Sequence, residues 1–160
     1  MEGRRIRLRA REEADLARLN EMFDEPDVLL GLNMTFPQPM KGIRGWWEAS
    51  RKDPNAQHFV IESLEGEPIG ACSLESVNSR TRDAVLGIWI GKPYWDSGYG
   101  TDAMRTLCRF GFRHMNLQRI TLHVHATNPR ARHVYERVGF RLEGTMRRAH
   151  FVKAATSTST

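Results

Sequence analysis

The chain has 160 residues, a formal net charge of +5, 40% hydrophobic residues and 27% charged residues, a balance typical of one soluble domain. No run of about 18 apolar residues is present, so the sequence predicts no membrane span, and the basic N-terminus lacks the apolar stretch of a secretion signal. Cys72 and Cys108 form neither a CxxC motif nor a disulfide framework, so we expect a reducing, cytoplasmic location.

Hydrophobic periodicity predicts the order of helices and strands. Alternating residues predict strands, and apolar residues three or four positions apart predict helices. In chain order we predict a strand at 4–9, a helix at 12–23, an irregular loop with room for one helical turn at 24–40, a helix at 42–51, strands at 58–62, 68–77 and 84–91, a helix at 99–115, a strand at 118–126, a helix from 129, and a strand at 140–151. This order predicts an α+β or mixed α/β fold with parallel crossovers in its second half.

The chain shows no internal repeat and no interdomain linker, so we expect a single domain over residues 1–153. The tail at 154–160 (AATSTST) is small and polar, a composition typical of a disordered end. The segment 84–91 (AVLGIWIG) is apolar on both faces and should therefore be a central strand.

A glycine-rich loop, WDSGYGT at 95–101, follows this central strand and opens the next predicted helix. Glycines allow positive φ and a close approach of backbone to ligand, and the free N–H groups at a helix start attract a pyrophosphate. The loop is neither GxGxxG nor the longer loop that ends in GK[ST], which disfavours a Rossmann or P-loop nucleotide site. A strand-to-helix turn without a ligand is the alternative.

Asn128 and Tyr135 form a second motif. Asn128 and Pro129 suit the start of a helix, and Gly139 suits its end. Seven residues are about two helical turns, so the two side chains lie along one helix face. There Tyr135 can donate a proton to a leaving group and Asn128 can hydrogen-bond a ligand amide. Alternatively, Asn128 only caps the helix and Tyr135 only packs against its neighbours.

Together the two motifs resemble the GNAT superfamily of N-acetyltransferases, and within it the type that acetylates ribosomal-protein alanines. The resemblance covers nearly the whole chain in element order, and its specific part is residues 84–140, with GIWIGKPYWDSGYGTDAM and ITLHVHATNPRARHVYERVGF. It implies a central mixed sheet of about six to seven strands, flanked by about four helices, in which the strand at 84–91 splays from the strand at 118–126. It also implies acetyl-CoA as cosubstrate and an amine acceptor.

The resemblance also implies roles for residues of this chain. Tyr135 matches the tyrosine that protonates the departing thiolate of CoA, and Asn128 matches the asparagine that contacts the cofactor arm. The other cofactor residues would act through their backbone, pairing with pantetheine or holding the pyrophosphate. They are Ile88, Trp89 and Ile90 of the strand, and Asp96, Ser97, Gly98, Tyr99, Gly100 and Thr101 of the loop.

His123 is the candidate general base. Part of the family has a carboxylate five residues before the asparagine, and this chain has His123 there. Histidine has an unperturbed pKa of about 6.5, which suits proton uptake from an ammonium near neutrality. Alternatively, His123 is structural and a water relay carries the amine proton to solvent. Glu75 is a weaker candidate for the base. His123 and His125 share a strand face, but no third ligand has suitable spacing, so we expect no metal.

Three departures from the family pattern have consequences. Trp95 replaces a common Gln or Arg, so phosphate binding would rest on backbone amides, and Ala131 replaces a common serine. After Phe151 only VKAATSTST follows, so we expect the last strand of the family to be missing, atypical, or supplied by a neighbouring subunit. An unpaired strand edge favours association, which makes a homodimer one expectation.

The acceptor site is expected between the loop at 24–39 and the helix at 42–51. Core packing is the alternative role for its apolar residues. The candidate acceptor residues are Met34, Phe36, Trp46, Glu75 and His125. The resemblance favours a peptide or protein N-terminus as acceptor, with a polyamine or an amino-bearing small molecule such as an antibiotic as alternatives.

Two other classes of function are alternatives to acetyl transfer. A nucleic-acid-binding module suits a basic chain, but it would need a contiguous arginine face, and the arginines are scattered. A CoA-binding sensor without catalysis would have no use for Tyr135. We therefore expect acetyl transfer to a primary amine, with neither nucleic acid nor membrane as a partner.

Overall fold

The structure is a computed structural model, and it describes residues 1–31, 40–126, 128–152 and 155–159. The described residues form five α-helices, seven strands and two short 3-10 helices, at Glu13–Asp15 and Lys92–Tyr94. In chain order the main elements are β1 (Ile6–Ala10), α1 (Leu16–Phe23), α2 (Pro26–Gly31), α3 (Met40–Arg51), β2 (Gln57–Ser63), β3 (Pro68–Asn78), β4 (Asp83–Ile90), α4 (Tyr99–His114), β5 (Arg119–Thr121), α5 (Pro129–Val138), β6 (Met146–Val152) and β7 (Ala155–Ser159).

Five strands form the main sheet in the order β1-β2-β3-β4-β5. Strands β1 to β4 pair antiparallel, whereas β5 pairs parallel to β4. A parallel pair needs a long crossover, and α4 supplies it. The mixed α/β architecture predicted from the sequence is therefore confirmed.

The core lies between the main sheet and α4. Met104 and Leu107 of α4 are fully buried in one cluster with Ile61 of β2. The next residue, Val60, points to the opposite face and packs with Met22 of α1. Burying each such side chain is worth about 1.5–3 kcal/mol. The sheet thus has α4 on one side and α1 on the other.

β4 and β5 separate partway along β4. Their pairing ends at Val85 and Thr121, while β4 continues to Ile90. The splay implied by the family resemblance is therefore present. The strand predicted at 118–126 is too long, because β5 ends at Thr121, where its pairing with β4 also ends.

The C-terminal end differs from the sequence prediction. β6 and β7 pair antiparallel, as at Phe151 and Thr156, and form a two-stranded sheet of their own. The last strand is therefore present at Ala155–Ser159, in the atypical form that was one of the expectations from the sequence. The seven described strands agree with the predicted number, but they are divided between two sheets. Threonines account for β7, since β-branched residues favour extended backbone even without apolar neighbours.

The segment predicted as an irregular loop at 24–40 contains α2. Two candidate acceptor residues, Met34 and Phe36, lie outside the described residues. None of the helices in the described ranges has both the length and the apolar character of a membrane span.

Candidate active site

The splay between β4 and β5 opens a cleft of about 1520 Å³. Its walls are the end of β4, the loop that follows, the first turn of α4, one face of α5 and the chain after β5. All the predicted cofactor residues line this cleft, together with Tyr135, His123 and His125.

The loop after β4 has the geometry of an anion site. Asp96 and Gly98 have positive φ angles of 60° and 82°, on either side of Ser97. Left-handed residues beside ordinary ones turn successive N–H groups to one side, which forms a concave anion-binding nest. Gly98 also precedes α4, whose first N–H groups have no acceptor within the helix and whose dipole attracts negative charge. The loop can therefore hold a pyrophosphate.

A cation that the sequence predictions missed lies against this loop. Arg5 lines the cleft, and its Nη1 donates to the carbonyl oxygen of Ser97 at 2.5 Å. Asp102, in the first turn of α4, fixes this part of the chain, because its carboxylate accepts the backbone N–H groups of Arg4, Arg5 and Ile6. The Asp102 carboxylate is hydrogen-bonded by these three backbone N–H groups and not by the Arg5 guanidinium. The guanidinium therefore adds its positive charge to the anion site.

Trp95 braces the same loop. Its indole Nε1 donates to the carbonyl oxygen of Ile90 at 2.8 Å. The guanidinium carbon of Arg130 lies 3.7 Å from the centroid of the Trp95 ring, and Arg130 Nη1 lies 3.7 Å from Oδ1 of Asp96. Trp95 therefore joins β4 to α5, and Arg130 brings a second cation to the cleft.

The register of β4 against β3 decides which backbone groups face the cleft. The N–H of Gly91 donates to the carbonyl of Ile69 at 2.8 Å, and in an antiparallel pair such bonds recur at every second residue. Trp89 therefore bonds toward β3, while the polar backbone groups of Ile88 and Ile90 point to the side that β5 has left. The backbone of Ile88 and the N–H of Ile90 can pair with an extended ligand, while the carbonyl of Ile90 already accepts Trp95 Nε1. The backbone of Trp89 cannot pair with such a ligand, and its side chain packs against Phe23.

Helix α5 carries the pair of Asn128 and Tyr135. Asn128 is the N-cap, and its Oδ1 accepts the N–H of Ala131 at 3.2 Å. Gly139 ends the helix with a φ of 119°. Tyr135 is half-buried, packs edge-on against Phe140, and its burial raises the pKa of its phenol. A raised pKa keeps the phenol protonated near neutral pH, as a proton donor requires.

Two histidines follow β5 in the cleft. His123 is exposed and His125 is half-buried, with buried Val124 between them. His125, predicted at the acceptor site, lies in the cleft instead. No group of three or more His, Cys, Asp or Glu side chains in the described part of the chain could hold a metal ion.

A second pocket, of about 470 Å³, lies on the α1 side of the main sheet. Gly87, Ile88 and Trp89 line both this pocket and the cleft, so the two cavities meet at β4. Gly87 has no side chain, which leaves open space between the two cavities. An added Cβ atom would take up this space, at 3.1 Å from Oγ of Ser73. Two predicted acceptor residues line the second pocket, namely Trp46 and Glu75.

Most charged groups around the second pocket have partners. Asp15 accepts two hydrogen bonds from Arg9, at 2.7 and 2.8 Å, and this partner lowers the pKa of its carboxyl. Burial and the nearby Arg11 lower the pKa of His58 to about 4, so its imidazole is neutral at pH 7. Burial also raises the pKa of Glu75, whose Oε1 lies 3.6 Å from Nε2 of His58. Because His58 is neutral, that contact is not an ion pair.

The sequence model of the acetyltransferase (GNAT) domain matches residues 5–141 of this chain. The protein belongs to the GNAT acetyltransferase family. It is an N-acetyltransferase that uses acetyl-CoA, as the sequence predicted.

Similar proteins carry two kinds of name. A spermidine N(1)-acetyltransferase of Escherichia coli K12 is 27% identical over 150 residues, which cover 92% of this chain and 78% of that protein. A putative ribosomal N-acetyltransferase of Bacillus subtilis, YdaF, is 28% identical over 153 residues, covering 92% and 84%. A spermidine N-acetyltransferase from Vibrio cholerae, crystallised with CoA and spermine, has a TM-score of 0.89 over 96% of this chain and 91% of that chain. At 24% identity, that likeness shows the fold.

Several lining residues of the acetyltransferase were not among the sequence predictions. They are Arg5 and Arg130 in the cleft, and Arg11, Phe23 and His58 in the second pocket. The alternating arginines of β1 were the local signal for Arg5. The second pocket is formed by α1, α3, β2 and β3. The spacing of residues within one segment cannot predict a site that is built from several distant segments.

Proposed function

We propose that this enzyme transfers the acetyl group of acetyl-CoA directly to a primary amine that enters from the second pocket. The observation that carries the proposal is that Gly87, Ile88 and Trp89 line both cavities. An acetyl thioester in the cleft and an amine in the second pocket would therefore meet at one stretch of β4. Such an arrangement supplies the proximity that direct transfer needs.

The cosubstrate would bind through charge at one end and strand-like pairing at the other. The pyrophosphate lies on the N–H groups of residues 96–101, with Arg5 beside them. The pantetheine arm lies along Ile88 and the N–H of Ile90, on the edge of β4 that β5 has left. Asn128 remains a predicted contact of the arm, on the opposite wall of the cleft.

The chemistry needs no covalent enzyme intermediate. The nitrogen lone pair of the free amine attacks the thioester carbonyl carbon, and the N–H of Ile90 stabilises the developing oxyanion. His123 takes a proton from the amine nitrogen. The C–S bond then breaks, and Tyr135 donates its phenolic proton to the CoA thiolate. The products are the N-acetylated amine and CoA.

The substrate class rests on the relatives as well as on the pocket. Relatives named for spermidine and for ribosomal acetylation cover nine-tenths of this chain, and both names describe acetylation at nitrogen. This supports a primary amine as acceptor, whether a protein N-terminus, as the resemblance favours, a polyamine or an amino-bearing small molecule.

Acetyl-CoA binding and amine-dependent thiol release should be measured separately. Calorimetry should show acetyl-CoA binding, and a thiol assay should show CoA release that depends on an added amine. Binding without turnover for any amine in a broad panel would make the protein a CoA-binding sensor. Thermal stabilisation by DNA and not by CoA would instead indicate a nucleic-acid-binding module.

A further inference from the structure

We infer that the hydroxyl of Ser73 binds the attacking nitrogen, by accepting a hydrogen bond from the N–H that stays on the amine after acetylation. This contact selects primary amines over secondary ones. The inference rests on the proposed function and on three features of the structure. They are the position of Ser73 in the sheet, its burial without a hydrogen-bonding partner, and two further unpartnered polar atoms of the second pocket.

Ser73 lies beside the point where the two cavities meet. In the register of the sheet it pairs with His58 of β2 on one side and with Gly87 of β4 on the other. Residues that pair directly across antiparallel strands point to the same face, and for Ser73 this face lines the second pocket. A Cβ atom added to Gly87 would lie 3.1 Å from Ser73 Oγ. The hydroxyl is therefore within reach of a nitrogen placed over Gly87.

The Ser73 side chain is buried without a hydrogen-bonding partner. The other buried hydroxyl residues of the described ranges have partners. Ser63 Oγ accepts the N–H of Glu67 at 3.2 Å. Thr106 Oγ1 donates to the carbonyl oxygen of Asp102 at 2.8 Å. Ser73, with a relative exposure of 8%, forms no such bond to any described residue. An unpartnered hydroxyl lowers stability, whereas a ligand that fills this position satisfies it.

The charged groups of the second pocket act on its Glu75 end. The Nε2 of His58 lies 3.6 Å from Oε1 of Glu75, and Arg11 and Asp53 act on the pKa values of both groups. Within the described ranges, none of these side chains forms a hydrogen bond to Ser73. The hydroxyl is thus left as a neutral acceptor, which suits the uncharged amine that carries the attacking lone pair.

Two other buried polar atoms of the second pocket also lack a partner among the described residues. They are Oδ1 of Asn20 on α1 and Nε1 of Trp47 on α3. Because buried polar side-chain atoms are nearly always hydrogen-bonded, this grouping around one cavity indicates a polar ligand. Of the three side chains, Ser73 is the one with an atom within 4 Å of the Cβ position of Gly87. Ser73 is therefore the one that the reacting nitrogen meets.

The contact uses the two hydrogens of a primary amine. In the proposed transfer the nitrogen bonds to the acetyl carbon and gives one hydrogen to His123. The C–S bond breaks, and the thiolate takes its proton from Tyr135. The second hydrogen stays on nitrogen and becomes the N–H of the amide product. Held by Ser73 Oγ, this hydrogen orients the lone pair toward the thioester. A secondary amine has one hydrogen, which goes to the base, so it cannot also bond Ser73.

The test compares a primary amine with its N-methyl derivative in the wild type and in Ser73→Ala, with the whole protein and acetyl-CoA. The pairs are phenethylamine with N-methylphenethylamine, alanyl-phenylalanine amide with its N-methylalanyl form, and spermidine with N1,N8-dimethylspermidine. Mass spectrometry of the product measures the slow N-methyl reactions. Ser73→Ala should lower kcat/KM about tenfold for the primary amine and less than about threefold for its N-methyl derivative. Acetyl-CoA binding, measured by calorimetry, should not change.

Thermal stability separates this role from a structural one. Ser73→Ala removes an unpartnered hydroxyl, so its Tm without ligands should equal or exceed that of the wild type. Ser63→Ala is the matched control, because Ser63 lines neither cavity and its buried hydroxyl bonds Glu67. This variant should have a lower Tm and the wild-type ratio of primary to N-methyl turnover. A lower Tm in Ser73→Ala with equal losses for both amines would make the hydroxyl structural and overturn the inference.

The remaining outcomes separate this inference from the proposed function. Equal losses for both amines at an unchanged Tm would place the hydroxyl on the acetyl group, and acetyl transfer would still stand. An unchanged kcat/KM for the primary amine in Ser73→Ala would remove Ser73 from the site. Intact acetyl-CoA binding by the wild type without turnover of any amine would overturn the proposed function, and the assignment of Ser73 with it.

Discussion

The carboxylate of Asp102 accepts the backbone N–H of Arg5 at 2.7 Å, although 97 residues separate them in the chain. This bond ties the start of β1 to the first turn of α4. It places the Arg5 guanidinium on the carbonyl oxygen of Ser97, next to the nest of N–H groups. The anion site therefore combines two distant parts of the chain, the glycine-rich loop and the first strand.

Arg5→Met should raise the KM for acetyl-CoA about tenfold and leave kcat nearly unchanged, because one charge-assisted contact to phosphate is lost in ground and transition states alike. S-acetyl-pantetheine, which has no phosphate, should show the same KM with the wild type and the variant. Arg7→Met is the matched control, since Arg7 is half-buried, pairs with Glu2 at 3.2 Å and is not among the residues that line the cleft. Equal losses with both donors would mean that Arg5 supports the loop and not the phosphate.

Tyr135→Phe should lower kcat about 100-fold while acetyl-CoA binding stays the same, because the variant keeps the ring and loses the proton for the thiolate. The measurements are calorimetric binding and steady-state turnover. Tyr94→Phe is a useful comparison, since Tyr94 lines the same cleft while its hydroxyl is 3.4 Å from Glu67. Equal turnover in the wild type and Tyr135→Phe would remove Tyr135 from the role of acid.

Local signals in the sequence predicted the cofactor half of the enzyme. The helix predicted at 99–115 is Tyr99–His114, and the cap at Asn128 and the end at Gly139 are where the spacing put them. Each of these features depends on neighbours within a few residues, such as a cap, a glycine or a repeat of apolar positions. Such features can therefore be predicted from a single segment of the sequence.

Features that depend on partners far along the chain could not be predicted. The early end of β5 at Thr121 is decided by the divergence of β4, and β7 exists because β6 pairs with it. The neutral state of His58 depends on burial and on Arg11, which belongs to another segment. The acceptor half of the site is made of such long-range features, so its residues were the least well predicted.

Acid should destabilise the fold through His58, whose side chain is 10% exposed. Its pKa is about 4 in the folded protein and about 6.5 in an unfolded chain, so the unfolded state binds more protons between these values. Stability therefore falls as the pH drops from about 6.5 to about 4, by about 2 kcal/mol at pH 5 for this group. Urea unfolding at pH 7.5 and pH 5 measures the loss.

His58→Asn should lose less stability than the wild type between these two pH values, because asparagine does not titrate. Exposed His114 provides the control, and His114→Asn should keep the wild-type pH dependence. An identical acid sensitivity in wild type and His58→Asn would show that His58 is not the group responsible.

His123→Gln should lower kcat about 100-fold near neutral pH, because the amine then lacks a proton acceptor in the cleft. The deficit should shrink as the pH rises, since hydroxide then takes the proton of the attacking nitrogen more readily in place of His123. The pH–rate profile of the variant against the wild type checks this. If both profiles keep the same shape and height, the proton leaves through water and His123 only shapes the cleft.

Gly87 tests whether the two cavities work as one site. A Cβ atom there points toward Ser73 Oγ on the second-pocket side, at 3.1 Å, which a small rotation of the serine hydroxyl can relieve. Gly87→Ala should therefore fold and lose about tenfold in kcat/KM for the amine, whereas the larger side chain of Gly87→Val should close the passage and lose more. Acetyl-CoA binding, measured by calorimetry, should survive both changes, because the new side chain lies away from the cleft. If Gly87→Val kept full transfer, the amine would have to reach the thioester by another route.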